Sequence, residues 1–340
     1  MLKSVSDDIN VVRGVAALGV IWAHSMEPVD PRFSVNGAYW VWIFFVTSGY
    51  LQGQSFAGGR YKSSLQGAKT FWRNRARRIL PLFWLALTIG TAIRLGILGQ
   101  SLGVRMVTLE YLGIMPRNPI VGPLWSIAAE LHLYIMTPFF CLVLSRHRSK
   151  LPAFLLLALG AIAAIIAVEL GDNSAEPRTG FGNALLFIIG LVAAYRSKPI
   201  LWFSPGVRTM LFSLAAVVAA LIQHASPGLF WTAKVGMMLA VSSALLVFAA
   251  PRRGDIVAFF RLFRTPLSTV GRYCYGIYVY AALIAVFVKP VFGVRDGLPL
   301  LACQLLALPL AYLSYTMFER HFVPNRNGAV VAAADLPLPT

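Results

Sequence analysis

Long apolar runs separated by short basic loops organise this chain. The stretch LPAFLLLALGAIAAIIAVEL (151–170) has no charge before Glu169, and PLSTVGRYCYGIYVYAALIAVFV (266–288) carries Arg272 alone. A bilayer core about 30 Å thick is crossed by about 20 apolar residues in a helix, and these runs supply them. Runs of this kind predict ten helical spans, at about 10–26, 39–57, 79–99, 124–144, 151–170, 181–195, 207–223, 230–249, 267–288 and 298–318. The span at 181–195 is short, and segment 100–123 has room for a re-entrant or interfacial piece. The predicted fold is all-α, a polytopic transmembrane helical bundle. Residues 1–326 read as one membrane-embedded domain, and the Ala/Pro-rich tail 327–340 as disordered.

Composition agrees with this pattern. The chain is 58% hydrophobic and 13% charged, with mean hydropathy +0.69; soluble domains carry about 25% charged residues. The net charge of +17 would suit nucleic acid, but the basic residues fall in loops between spans, which is the pattern of membrane orientation. With the N-terminus in the cytoplasm, 22 Lys and Arg lie inside and 8 outside. Both termini are therefore expected inside, with the lipid bilayer as a partner and nucleic acid excluded. The first apolar segment carries Arg13 and His24 and is not expected to be a cleaved signal. Cys141, Cys274 and Cys303 lie in apolar stretches and read as small buried residues, with neither a disulfide framework nor metal spacing.

Ionisable groups within spans are costly there, so they are the first candidates for chemistry. Arg13 and His24 are 11 residues apart. In a helix that spacing puts both on one face, about 16 Å apart. Histidine suits general-base work near neutral pH, and an arginine on the same stripe can hold an anionic group of a donor entering from the cytoplasm. The same two residues also fit a snorkelling anchor and an interfacial histidine. In FWRNRARRILP (71–81), Arg75 and Arg78 are three apart and share a helix side. Such a pair suits a phosphate or pyrophosphate, and equally a charge run that orients the span. Ser48 and Gly49 of FFVTSGY (44–50) permit close helix approach, and Gly49 with Gly53 forms a small-residue pair. In WSIAAELHLYIMTP (125–138), Glu130 lies inside an apolar span with Tyr134 one turn later. Its carboxylate either orients His24 or pairs with a basic group such as Arg94.

In this order the segments resemble acyltransferase family 3 of membrane proteins, over about residues 7–325. Arg13 and His24 match its first-span pattern, and Phe44, Phe45, Ser48, Gly49 and Tyr50 match FFxxSGF/Y. Arg75, Arg78, Ile79 and Pro81 match RxxRIxP, and Trp125, Ser126, Glu130, Tyr134 and Pro138 match WSLxxExxFYxxxP. YCYGIYVYA (273–281) and SYTMFERHF (314–322) are similar to two late family segments. The departures are Ala281 where the pattern has a late histidine, His321 where it has proline, and Leu133 where it has phenylalanine.

The resemblance implies an inner-membrane O-acyltransferase. Its donor would be a cytoplasmic acyl-CoA, most often acetyl-CoA, as co-substrate with no bound cofactor. Its acceptor would be a hydroxyl of a saccharide or glycolipid. It implies His24 as the catalytic residue and Arg75 with Arg78 as the donor contact. On this reading Arg13 helps hold the donor and Glu130 tunes His24, with Ser48, Trp125 and Tyr134 in support. No His/Cys/Asp cluster has metal-ligand spacing, and no metal is expected. The esterase-like domain that some members append is not in this sequence, so acceptor handling is expected within the membrane part or in a partner. The competing reading is a transporter or flippase for a glycan or small molecule. Ten spans with buried charges suit it, but two matching Gly/Pro-broken halves are not found.

Overall fold

The computed structural model describes residues 2–26, 28–29, 37–114, 119–147, 180–195 and 263–322. Among these there are helices and turns but no strands. The helices, numbered in chain order, are α1 (Leu2–Met26), α2 (Gly37–Ala57), α3 (Leu65–Ala92), α4 (Val104–Tyr111), α5 (Trp125–Arg146), α6 (Gly180–Ala194), α7 (Arg264–Arg272), α8 (Cys274–Phe292), α9 (Leu298–Leu305) and α10 (Ala307–Met317). A π-helical turn (Ile93–Ile97) extends α3, and 3₁₀ turns precede α5 (Gly122–Leu124) and follow α10 (Glu319–His321). Five stretches are long and apolar enough to cross a membrane: Ile9–Met26, Leu65–Ile97, Gly122–Arg146, Cys274–Phe292 and Leu298–His321. The protein is a multi-pass helical membrane protein. The spans expected at 151–170, 207–223 and 230–249, and the tail at 327–340, lie outside the described residues.

Three boundaries differ from the sequence reading, each for a local reason. α3 begins at Leu65, not near 79, so the arginines of 73–78 sit on the helix itself. Its start is fixed by Ser64, whose side chain accepts a hydrogen bond from the Gly67 N–H, and by Phe71, which is fully buried. Pro81 is therefore interior, and because it lacks an N–H it leaves the Arg77 carbonyl without its helical bond. The expected span 267–288 is two helices meeting at Tyr273, and Arg272 stays exposed at the junction, outside the apolar α8. The last span is divided into two helices at Leu306, with Pro309 in the first turn of α10, where proline is tolerated.

α1 is the hub and packs against α2, α7, α8 and α9. Its close approaches rest on glycine. A Cβ on Gly14 would lie 2.2 Å from the Leu267 carbonyl oxygen, and one on Gly271 1.8 Å from that of Asn10. The α2–α6 pair meets in the same way, with a Cβ on Gly49 placed 2.0 Å from the Phe187 oxygen and one on Gly53 2.6 Å from the Ala194 Cβ. The small-residue pair read in α2 is thus a packing surface. Beside it lies an aromatic core in which the Tyr134 ring meets Phe71 and Phe187 edge-on.

Candidate functional site

Four elements, α1, α2, α3 and α5, bring Arg13, Ser48, Arg75, Arg78, Glu130 and Tyr134 close together, and His24 stands farther along α1. α3 turns Arg75 and Arg78 inward and half-buries them, while Arg73 and Arg77 are exposed. This follows from the three-residue spacing, which puts the first two on the buried side with Phe71, Ile79 and Leu82. The Arg75 guanidinium lies 5.6 Å from the Phe71 ring centre and 5.9 Å from that of Tyr134. Arg13 of α1 comes within electrostatic reach of Arg78 and of the Glu130 carboxylate. Arg13 Nε and Arg75 Nε are both buried and have no hydrogen-bond partner among the described residues. Three neighbouring guanidiniums, two of them with an unmet Nε–H, suit a polyanion such as a chain of phosphates.

α5 supplies the acid. Tyr134 donates its hydroxyl to Glu130 Oε1, and Ser48 of α2 lies within hydrogen-bonding reach of the same phenol. The Trp72 indole N–H donates to the Tyr134 carbonyl at 3.1 Å, tying α3 to α5. At the head of α5, Ser126 Oγ donates to Tyr278 Oη at 2.8 Å, and Tyr278 donates to the Pro123 carbonyl. Trp125 packs on Phe45, with ring centres 6.4 Å apart. Ser48 and Trp125 thus anchor α2 to α5.

His24 lies toward the far end of the unbroken α1, half-buried, on the same face as Arg13. Its buried Nδ1 lacks a hydrogen bond of full geometry, with the Val20 backbone one turn earlier in reach of the ring, and Gly37 of α2 faces that ring, where a Cβ would lie 3.9 Å from Nε2. No His24–Glu130 hydrogen bond forms among the described residues. Glu130 is engaged by Tyr134 and lies within reach of Arg13. Arg94 is elsewhere, donating to the carbonyls of Ile120 (2.9 Å) and Pro119 (3.3 Å).

The late segments contribute groups to which the sequence reading gave no role. Tyr275 donates to the Ile79 carbonyl at 2.7 Å, one residue beyond Arg78. Glu319 accepts from Ser314 Oγ at 3.0 Å and feels the Arg78 charge. Both residues stand in the two family-like segments near the end, so the signal was present without a chemical spacing to interpret. No group of three or more metal-ligating side chains occurs among the described residues.

The fold and site define a helical membrane protein with an arginine cluster and a histidine on one helix face. A family model described as an acyltransferase domain matches residues 6–318, and the chain belongs to that family. It is 23% identical to the O-acetyltransferase OatA of Staphylococcus aureus (strain NCTC 8325 / PS 47), over 96% of this chain and 58% of that protein. It is also 23% identical to the peptidoglycan O-acetyltransferase OatA of Listeria monocytogenes, over 85% of this chain and 50% of that protein. The chain thus spans about half the length of these relatives. No solved structure matches it significantly.

Proposed function

We propose that this protein is an inner-membrane O-acyltransferase that moves an acyl group, acetyl in the first instance, from cytoplasmic acyl-CoA to a hydroxyl of a saccharide-containing acceptor. The observation that carries the reading is the convergence of Arg13, Arg75 and Arg78, with two buried and unmet guanidinium N–H groups, on the helix face that also bears His24. The arginines hold the donor phosphates. The donor's thioester arm extends along α1 toward His24, about 16 Å from Arg13. His24 takes the proton of the acceptor hydroxyl, and the oxygen attacks the thioester carbonyl. The C–S bond breaks, and the departing thiolate takes up the proton as free CoA thiol. Glu130 and Tyr134 set the position and charge balance of Arg13 and Arg75. Membership of the acyltransferase domain family and the O-acetyltransferase activity of the two named relatives support this assignment.

The test is acyl transfer from radiolabelled acetyl-CoA by the purified protein and by His24→Ala, read alongside mass spectrometry of surface glycans from cells with and without the gene. Removal of the base is expected to lower the rate by about 100-fold or more, with normal membrane insertion. A His24→Ala protein that acylates at the wild-type rate overturns the mechanism.

A further inference from the structure

The stretch of α3 that carries Arg78 is weakly held by its own helix. Pro81 leaves the Arg77 carbonyl without its helical bond. Arg75 and Arg13 repel the Arg78 guanidinium, which forms no ion pair among the described residues. Where that guanidinium sits therefore depends on where the α3 backbone is fixed.

Two hydrogen bonds from neighbouring helices bracket residues 72–79. Before the arginine pair, the Trp72 indole N–H donates to the Tyr134 carbonyl of α5 at 3.1 Å. After it, the Tyr275 hydroxyl of α8 donates to the Ile79 carbonyl at 2.7 Å. A backbone carbonyl has two lone pairs, so this bond adds to the helical one without displacing it. α8 starts just after the break at Tyr273, so Tyr275 stands in its first turn. Its neighbour Gly276 lets α10 and the terminal 3₁₀ turn close on α8. A Cβ there would lie 3.1 Å from that of Ala311 and 3.4 Å from Glu319 Oε1. The phenol lies within electrostatic reach of both Arg78 and Glu319.

Guanidinium–phosphate hydrogen bonds are directional, so a shift of the backbone beneath the arginine weakens them. We infer that Tyr275 is a positioning residue for donor binding. Its hydroxyl fixes α3 at Ile79, and through that bond sets the reach and direction of the Arg78 guanidinium toward the donor phosphates. This rests on the acyltransferase reading and extends the donor side of the site to α8. A purely packing role would reside in the ring, which Tyr275→Phe keeps, whereas a positioning role resides in the hydroxyl, which it removes.

The test is a double-mutant cycle on the full chain, with wild type, Tyr275→Phe, Arg78→Ala and the double variant. Inverted membrane vesicles from cells lacking the native gene supply the acceptor, and incorporation of label from radiolabelled acetyl-CoA into their glycans is measured. Tyr275→Phe is expected to raise the KM for acetyl-CoA about fivefold with kcat level. In the Arg78→Ala background it is expected to raise KM no further. Partial loss of folded protein lowers the maximal rate and leaves KM alone, so instability does not imitate this result. An unchanged KM in Tyr275→Phe overturns the inference. An equal rise in both backgrounds also overturns it, since the hydroxyl then does not act through Arg78. A Tyr275→Phe protein absent from the vesicles overturns it too, since the bond then holds the fold. Wild-type vesicles that incorporate no more label than empty-vector vesicles overturn the acyltransferase reading itself, a result distinct from the other three.

Discussion

Tyr134 donates its hydroxyl to Glu130 one turn earlier on α5, and the ring bearing that hydroxyl lies 5.9 Å from the Arg75 guanidinium. One side chain therefore couples the acid to the arginine cluster by two separable interactions. Tyr134→Phe keeps the ring and removes the hydrogen bond. It is expected to lower acyl transfer about tenfold, with little change in the KM for acetyl-CoA. Tyr134→Leu also removes the aromatic face under Arg75 and is expected to raise that KM as well. Initial rates over an acetyl-CoA series separate the two.

The arginines of α3 divide by exposure, which gives a prediction within two helical turns. Arg75→Ala and Arg78→Ala are expected to raise the KM for acetyl-CoA about tenfold or more, and raised salt should mimic the loss. Arg73 and Arg77 are exposed, so their alanine variants are expected to leave the KM unchanged. Arg75→Lys is expected to resemble Arg75→Ala, since an ammonium does not reproduce a guanidinium stacked on two rings. Donor KM values for the five proteins check this, and equal effects at all four arginines would leave a general surface charge as the explanation.

Much of this site was legible in the sequence because helical spacing is a local property. Arg75 with Arg78, Arg13 with His24, and Glu130 with Tyr134 each share a face by residue counting, and the structure keeps each pair on one continuous helix. What spacing does not carry is which faces of different helices meet. Glu130 was expected to face His24 or a basic group such as Arg94. The fold brings it to Tyr134 and within reach of a different basic group, Arg13, while Arg94 goes to the 119–121 loop. Apolar runs likewise predicted α8 but not the break at Tyr273, because hydropathy does not register where a helix must end to keep Arg272 out of lipid.

The glycine contacts between α2 and α6 give a stability prediction independent of chemistry. A Cβ on Gly190 would lie 2.1 Å from the Val46 carbonyl oxygen, a backbone atom that cannot rotate away. Gly190→Ala is expected to cost about 1–3 kcal/mol, read as a lowered thermal midpoint in detergent. Gly96, in the π-helical turn, has nothing within 4 Å of a Cβ, so Gly96→Ala is expected to match wild type. Equal midpoints for both variants would show that the α2–α6 contact is looser than described.

Glu110 gives the pH prediction, because it stands on α4, outside the five candidate spans. Its fully buried carboxylate accepts from the Ile120 N–H at 2.8 and 3.1 Å and from the Val121 N–H at 3.4 Å. Arg94 grips the carbonyls of Pro119 and Ile120 in the same loop. That loop leads directly into the 3₁₀ turn and the start of α5, so Glu110 helps set where Trp125, Ser126 and Glu130 begin. Burial pushes its carboxyl above the ordinary value, against the two N–H groups and the Arg94 charge, which pull the other way. The folded state therefore holds this proton more tightly than the unfolded chain does. The stability it contributes is full below the ordinary carboxyl value of about 4.3 and is lost as pH rises through the higher folded value. Glu110→Gln cannot titrate. The thermal midpoint of wild type minus that of Glu110→Gln is thus expected to fall as pH rises from about 4. A paired pH series of unfolding curves in detergent measures it. A difference that grows with pH would mean that the backbone N–H groups and Arg94 outweigh burial, and that Glu110 clamps the loop as a fully ionised carboxylate.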